Sequence, residues 1–206
     1  MKDWLFLLCL WITGWSSPLF ALNFDFQALA GGASGQLSQD RVKSKMSGFE
    51  AKISGHVSFF DKIPIAVGPS YSYFRLEDGR ELEFRSLEGN FFAAELFLWS
   101  PVRFLGIQGY GKWAFLINGT AQRSNGAQEY RYPGLDQFII SGGQLVVGIN
   151  VSPRPNFALI VEQQTNRLRL DMDMSSEEFR LARVNPAMSS YQIKSLSTLI
   201  GLEFSL

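Results

Sequence analysis

One histidine stands two residues before a serine: His56-Val57-Ser58, inside the stretch FEAKISGHVSFF at 49–60. A histidine that takes the proton of a serine hydroxyl makes a nucleophile, provided the two are hydrogen-bonded and donors await the oxyanion. Residues two apart on one strand face are about 7 Å apart, so the spacing permits that contact without imposing it. Isolated charges interrupt otherwise apolar segments: Asp25, Glu95, Glu162 and Glu203 as acids, Lys52 and Lys112 as cations. If enclosed, such charges must be paired or hydrated, and a histidine flanked by two carboxylates favours imidazolium. His56 is the only histidine and Cys9 the only cysteine, so no histidine-based metal site is expected, and no cofactor. The glycine-containing GYGK (109–112) and SGGQ (141–144) lack the strand-to-helix setting of a phosphate loop. Arg75, Arg80, Arg85, Arg123, Arg131, Arg180 and Arg183 lie in charged stretches between apolar segments. Their guanidinium forks suit phosphates.

The elements that must position these groups begin after a leader. WLFLLCLWI (4–12) is an apolar run followed by small residues and Pro18. It is shorter than the ~20 residues a membrane helix needs, and reads as a secretory signal over residues 1–21, cleaved after Ala21. Residues 22–206 then form a single domain without cysteine, which excludes disulfides, a thiol nucleophile and thiolate-bound metal. Lys+Arg and Asp+Glu each number 19, and the leader removes one of each sign, so nothing in the charge points to nucleic acid.

Period-two alternation recurs along the mature chain. Phe24–Ala30, Phe49–Phe59, Ile65–Tyr73, Phe92–Leu98, Leu105–Ile117, Leu145–Val151, Phe157–Val161 and Leu196–Leu206 mark eight strands, with no amphipathic helix between them. Connections alternate in length. Short ones near 60–64, 100–104 and 152–156 carry proline, which ends a ladder, and a basic residue: Lys62, Arg103 and Arg154. Long ones near 36–47, 75–88, 118–134 and 166–190 carry most of the charge. RLRLDMDM (167–174) alternates in the opposite parity to Phe157–Val161, which predicts a bulge at 163–166 and strands projecting past the membrane.

Short turns at one end and long loops at the other, on an even number of up-and-down strands, is the layout of an eight-stranded antiparallel transmembrane β-barrel. A soluble barrel would turn its apolar face inward instead. Small residues on the polar face (Ser54, Ser58, Gly68, Ser70, Ser72, Gly148, Ser197) fit a narrow interior. Aromatics near both strand ends fit interfacial girdles. IPIAVGPSYSYF (63–74), FFAAELFLWSP (91–101) and the C-terminal LIGLEFSL resemble the small eight-stranded outer-membrane barrels of the OmpA, OmpX and OmpW kind. In that family a final strand of alternating apolar residues is read by the barrel-assembly machinery; Phe204 and Leu206 hold those positions here. Phe49, Ala51, Ile53, Val57 and Phe59 then face lipid, and Glu50, Lys52, Ser54, His56 and Ser58 face the lumen.

The lumen should hold a polar network of Asp25, His56, Glu95, Lys112, Glu162 and Glu203, with the acids toward the short-turn end. The expected protein is a monomeric, non-enzymatic, integral protein of the bacterial outer membrane. Its role would be structural or in surface contact through the long loops, which are expected to meet outer-membrane lipid and lipopolysaccharide. A narrow channel and a soluble periplasmic lipid-binding barrel are the alternatives.

Overall fold

The computed structural model describes residues 22–39, 42–59, 64–78, 86–124, 137–154, 156–173 and 190–206. They form eight strands: β1 (Asn23–Gln39), β2 (Val42–Ser58), β3 (Ile65–Asp78), β4 (Ser86–Phe104), β5 (Ile107–Ser124), β6 (Gln137–Arg154), β7 (Phe157–Met172) and β8 (Ser190–Ser205). Each pairs antiparallel with its sequence neighbour, and β8 returns to β1, so the sheet is a closed barrel. Closure leaves no unpaired edge, the condition for placing strands in hydrocarbon. The leader at 1–21 and Lys62 lie outside the described residues.

The strands run 14 to 19 residues, well beyond the ~9–11 that cross a bilayer. Much of what the charged composition marks as long loops is therefore ladder: β1 continues to Gln39, β2 starts at Val42, and β7 runs to Met172. At the other end, β4 and β5 are joined by a tight turn at Leu105-Gly106, both at positive φ (50° and 80°). Two successive left-handed residues match the twist of flanking strands. The turn lies beyond SPVRF (100–104), which belongs to β4, where the register slips between Trp99 and Arg103.

The polarity of the two faces inverts along the barrel. In one zone the outward side chains are apolar and exposed, among them Ile53, Val67, Phe92, Trp113, Val147 and Ile200 at 43–63%. Inward positions at that level are largely polar. Toward the other end the outward residues are Lys45, Glu77, Glu88, Gln122, Arg169 and Lys194, and the inward ones form an apolar cluster including Leu37, Met46, Leu76, Leu87, Phe138, Leu170 and Ile193. Hydrocarbon outside favours apolar side chains on the outer face; water outside demands an apolar core within.

This inversion corrects the bulge expected at 163–166. β7 keeps its register on both neighbours from Leu159 to Asp171. Leu168 and Leu170 stay on the inward face with Ile160 and Glu162; the surroundings change, not the parity. The bulge lies in β5 instead. Tyr110, Lys112 and Ala114 point inward below it, and Gly119, Ala121 and Arg123 above it. Register shifts fall at Phe92/Ala93 against β4 and between Phe115 and Thr120 against β6.

Candidate functional site in the barrel lumen

The lumen polar groups form two hydrogen-bonded clusters. In the first, Glu203 accepts from Gln27 Nε2 at 2.5 Å and from Asn150 Nδ2 at 2.6 Å. Ser152 Oγ donates to Asn150 Oδ1 at 2.6 Å. Gln27 Oε1 accepts from Ser54 Oγ at 3.2 Å and from Lys112 Nζ. Lys112 is also ion-paired with Glu162 Oε1, which accepts from the Tyr110 hydroxyl at 2.9 Å. The Phe97 and Tyr110 rings stack at 4.8 Å and lie under the Lys112 ammonium at 5.1 and 5.3 Å, a placement favoured by the ring quadrupoles.

In the second cluster Glu95 is shared. Its Oε1 is 2.5 Å from Lys52 Nζ and its Oε2 2.8 Å from His56 Nε2. Lys52 donates to Gln164 Oε1 at 3.4 Å, and Gln164 Nε2 donates to Glu50 Oε1 at 2.5 Å. Glu50 Oε2 accepts from Ser197 Oγ at 2.6 Å and Asn166 Nδ2 at 3.1 Å. Lys52, Glu50, Glu95, Lys112 and Glu162 are all 2% exposed or less. At that depth a charge persists only with a counter-charge and hydrogen bonds on its remaining atoms.

Period two explains why these side chains converge. Glu50, Lys52, Ser54, His56 and Ser58 are alternate residues of β2, and Glu162, Gln164 and Asn166 of β7. In a narrow barrel, inward residues of strands far apart in the ladder meet across the axis. Gly31 and Gly68 also face inward, where an added Cβ would overlap the carbonyl oxygens of Thr198 and Gly55 on the neighbouring strand. Glycine permits that close approach.

His56, Glu95, Lys112, Glu162 and Glu203 are thus joined within the two clusters. Asp25 is only half-buried and takes no part in the bonding; it sits on the first rungs of β1, opposite His56 and Ser205. Glu95 and Glu162 are paired with lysines, while Glu50 and Glu203 are held by amide and hydroxyl donors alone. His56 has one carboxylate, not two, and its Nδ1 has no partner among the described residues. His56 bonds to Glu95 and not to Ser58, so the serine has no activating base. Among the described residues no group of three or more His, Cys, Asp and Glu could hold a metal.

Glu50, expected in the lumen on parity, and Gln27, Asn150, Gln164 and Asn166 carry much of the network. Glu50 shares the parity of Lys52 and His56, which was its available signal; neutral amides carry none. Arg123, read as a loop arginine, is 6% exposed and lies inside the barrel, 5.9 Å from the centre of the Phe138 ring. Arg75 is outward on β3 and paired with Glu77 at 3.3 Å. Arg80, Arg85, Arg131, Arg180 and Arg183 lie outside the described residues.

A closed eight-stranded antiparallel barrel, belted by exposed apolar side chains and filled with paired polar ones, is a bacterial outer-membrane β-barrel. No protein-family model matches the chain, and no curated protein does. Solved structures do. Neisserial surface protein A (NspA) superposes on 88% of this chain and 96% of its own, with a TM-score of 0.56 at 14% identity. Ail, the attachment invasion locus protein of Yersinia pestis, covers 87% and 98% with a TM-score of 0.46 at 14% identity. OprG, an outer membrane protein from Pseudomonas aeruginosa, covers 88% and 95% with a TM-score of 0.43 at 10% identity. The likeness to NspA is one of fold.

Proposed function

We propose that this outer-membrane protein is a closed barrel whose work is structural and on its surface, with no conduction or catalysis in the lumen. The observation that supports this reading is the filled interior. Two buried ion pairs, Lys52–Glu95 and Lys112–Glu162, and their amide partners occupy the membrane level. The apolar cluster around Phe74, Phe91, Phe138 and Leu170 occupies the level beyond it. An ion crossing this interior would have to break buried pairs and then enter an apolar core, both costly steps. Outer-membrane lipid, lipopolysaccharide and the assembly machinery are the partners this reading implies, with a monomer as the unit.

The test is two measurements on protein extracted in detergent. Electrophoresis of unboiled and boiled samples should show a mobility shift, the mark of a detergent-resistant closed barrel. Single-channel recording in planar bilayers should then show no steady conductance. A shifting protein that conducts steadily, with a conductance altered by His56→Ala, would replace this reading with the channel.

A further inference from the structure

Among the described residues, the outer, water-exposed half of the barrel gathers most of its outward cations on one side. Strand register builds two outward rows across β7, β8, β1 and β2. Arg167 lies opposite Lys194, Lys194 opposite Gln36, and Gln36 opposite Lys45. One rung further out, Arg169 lies opposite Gln192, Gln192 opposite Ser38, and Ser38 opposite Lys43. Each row crosses three strand spacings, about 14 Å at ~4.8 Å each. Among the described residues, only Arg169 of these five cations has a carboxylate partner, Asp171 at 2.9 Å; Asp173 follows just beyond the end of β7. Arg167 and Lys194 are like charges directly opposite on a ladder, an arrangement that destabilises a sheet unless an anion sits on it.

On the outer parts of β3–β6 the described outward charges are Arg75 against Glu77 and Glu88, a slight acidic excess. Arg75 pairs with Glu77 at 3.3 Å, and Glu88 accepts from the Tyr73 hydroxyl at 2.6 Å. The basic side also begins where the lipid belt stops. Lys194 is the next outward residue after Leu196 on β8, about 7 Å along the strand. Lys45 is the second after Phe49 on β2, and Arg167 the third after Val161 on β7. That is the level at which the headgroups of the leaflet around this end would lie.

We propose that the β7–β8–β1–β2 face binds the phosphate groups of an outer-leaflet glycolipid, with Lys45, Arg167 and Lys194 as principal contacts and Lys43 and Arg169 above them. The inference rests on the outer-membrane reading. Its chemistry is charge complementarity at the edge of an apolar belt: phosphates meet the two rows while acyl chains lie against Leu196, Ile200 and Phe49. Arginine forks give paired hydrogen bonds to phosphate and lysines give point charge. A soluble polyanion would have no use for the adjoining belt.

The experiment measures binding of diphosphorylated lipid A, in detergent micelles, to the purified full chain. Wild type should bind it and release it with added salt. The triple variant Lys45→Gln, Arg167→Gln, Lys194→Gln should bind roughly tenfold or more weakly, and Arg75→Gln on the opposite side should bind as wild type does. Dephosphorylated lipid A should bind wild type as weakly as the variant binds the phosphorylated lipid, a comparison that needs no altered protein. Equal binding by wild type and a heat-modifiable triple variant would overturn the site while leaving the barrel intact. A phosphorylated disaccharide without acyl chains that binds as tightly as the lipid would overturn the lipid assignment. Absence of a heat-dependent gel shift in wild type would overturn the barrel reading and the site together.

Discussion

Lys52 and Glu95 define the energetics at the residue scale. Both are buried, 2.5 Å apart, and Glu95 also holds His56. Replacing one partner strands the other without a counter-charge, while replacing both with apolar side chains of similar volume removes the desolvation cost as well. Lys52→Met should therefore lower stability by about 3–5 kcal/mol, and Lys52→Met/Glu95→Leu should recover part of that loss, the remainder reflecting buried His56, which loses its Glu95 partner. Urea unfolding of the barrel in lipid vesicles measures both; a double variant no better than the single would mean that the pair is net stabilising. Gly68 gives a second prediction. Any Cβ there overlaps the backbone carbonyl of Gly55, a residue held in register with Phe26 of β1. Gly68→Val should reduce the heat-modifiable fraction, and Gly109→Val, at a glycine with open space around it, should leave it unchanged.

Elements carry the change of solvent. β8 shows it on one face: Phe204, Leu202, Ile200 and Leu196 point outward at the lipid level, then Lys194 and Gln192 point outward into water. The inward face runs the other way, from Glu203 to Ile193 and Tyr191. A positive charge on the outward face should thus be costly at one height and harmless at another. Ile200→Arg should cost about 2–4 kcal/mol if it lies near the bilayer midplane, and Gln192→Arg close to nothing. Vesicle unfolding midpoints compare the two, and equal costs would contradict the placement of the belt. The same inversion explains why the outer parts of β1, β2, β5, β7 and β8 read as loops in sequence. Their charged residues are solvated strand faces, and the apolar partners that would mark them as strands alternate in what looks like the wrong phase.

At the scale of the molecule, two kinds of filling are stacked in one closed sheet. The apolar upper cluster is a small soluble-type core, and Phe91 and Phe138 are among its largest members, each 1% exposed. Phe91→Ala should destabilise by about 3–5 kcal/mol through lost burial and a cavity. It should still give no steady conductance, because the ion-paired network beneath it persists. Steady current in that variant would show that the upper cluster alone blocks the lumen. The long strands carry the outward face of β7, β8, β1 and β2 past the belt as continuous ladder.

The sequence by itself determined the class of fold, because period two is a direct imprint of the pleat and needs no tertiary information. Eight alternating segments without helices gave the strand count and the inward parity of His56, Glu95, Lys112, Glu162 and Glu203. Tertiary structure alone decided what those side chains meet. Register and closure brought Glu50 of β2 to Gln164 and Asn166 of β7 across the barrel, contacts separated by 114 and 116 residues that no local pattern encodes. Closure also set where water replaces lipid outside, turned Arg123 inward above the β5 bulge, and left Asp25 outside the bonding. Alternation names a residue's face; only the closed sheet names its neighbours across the axis and the solvent behind it.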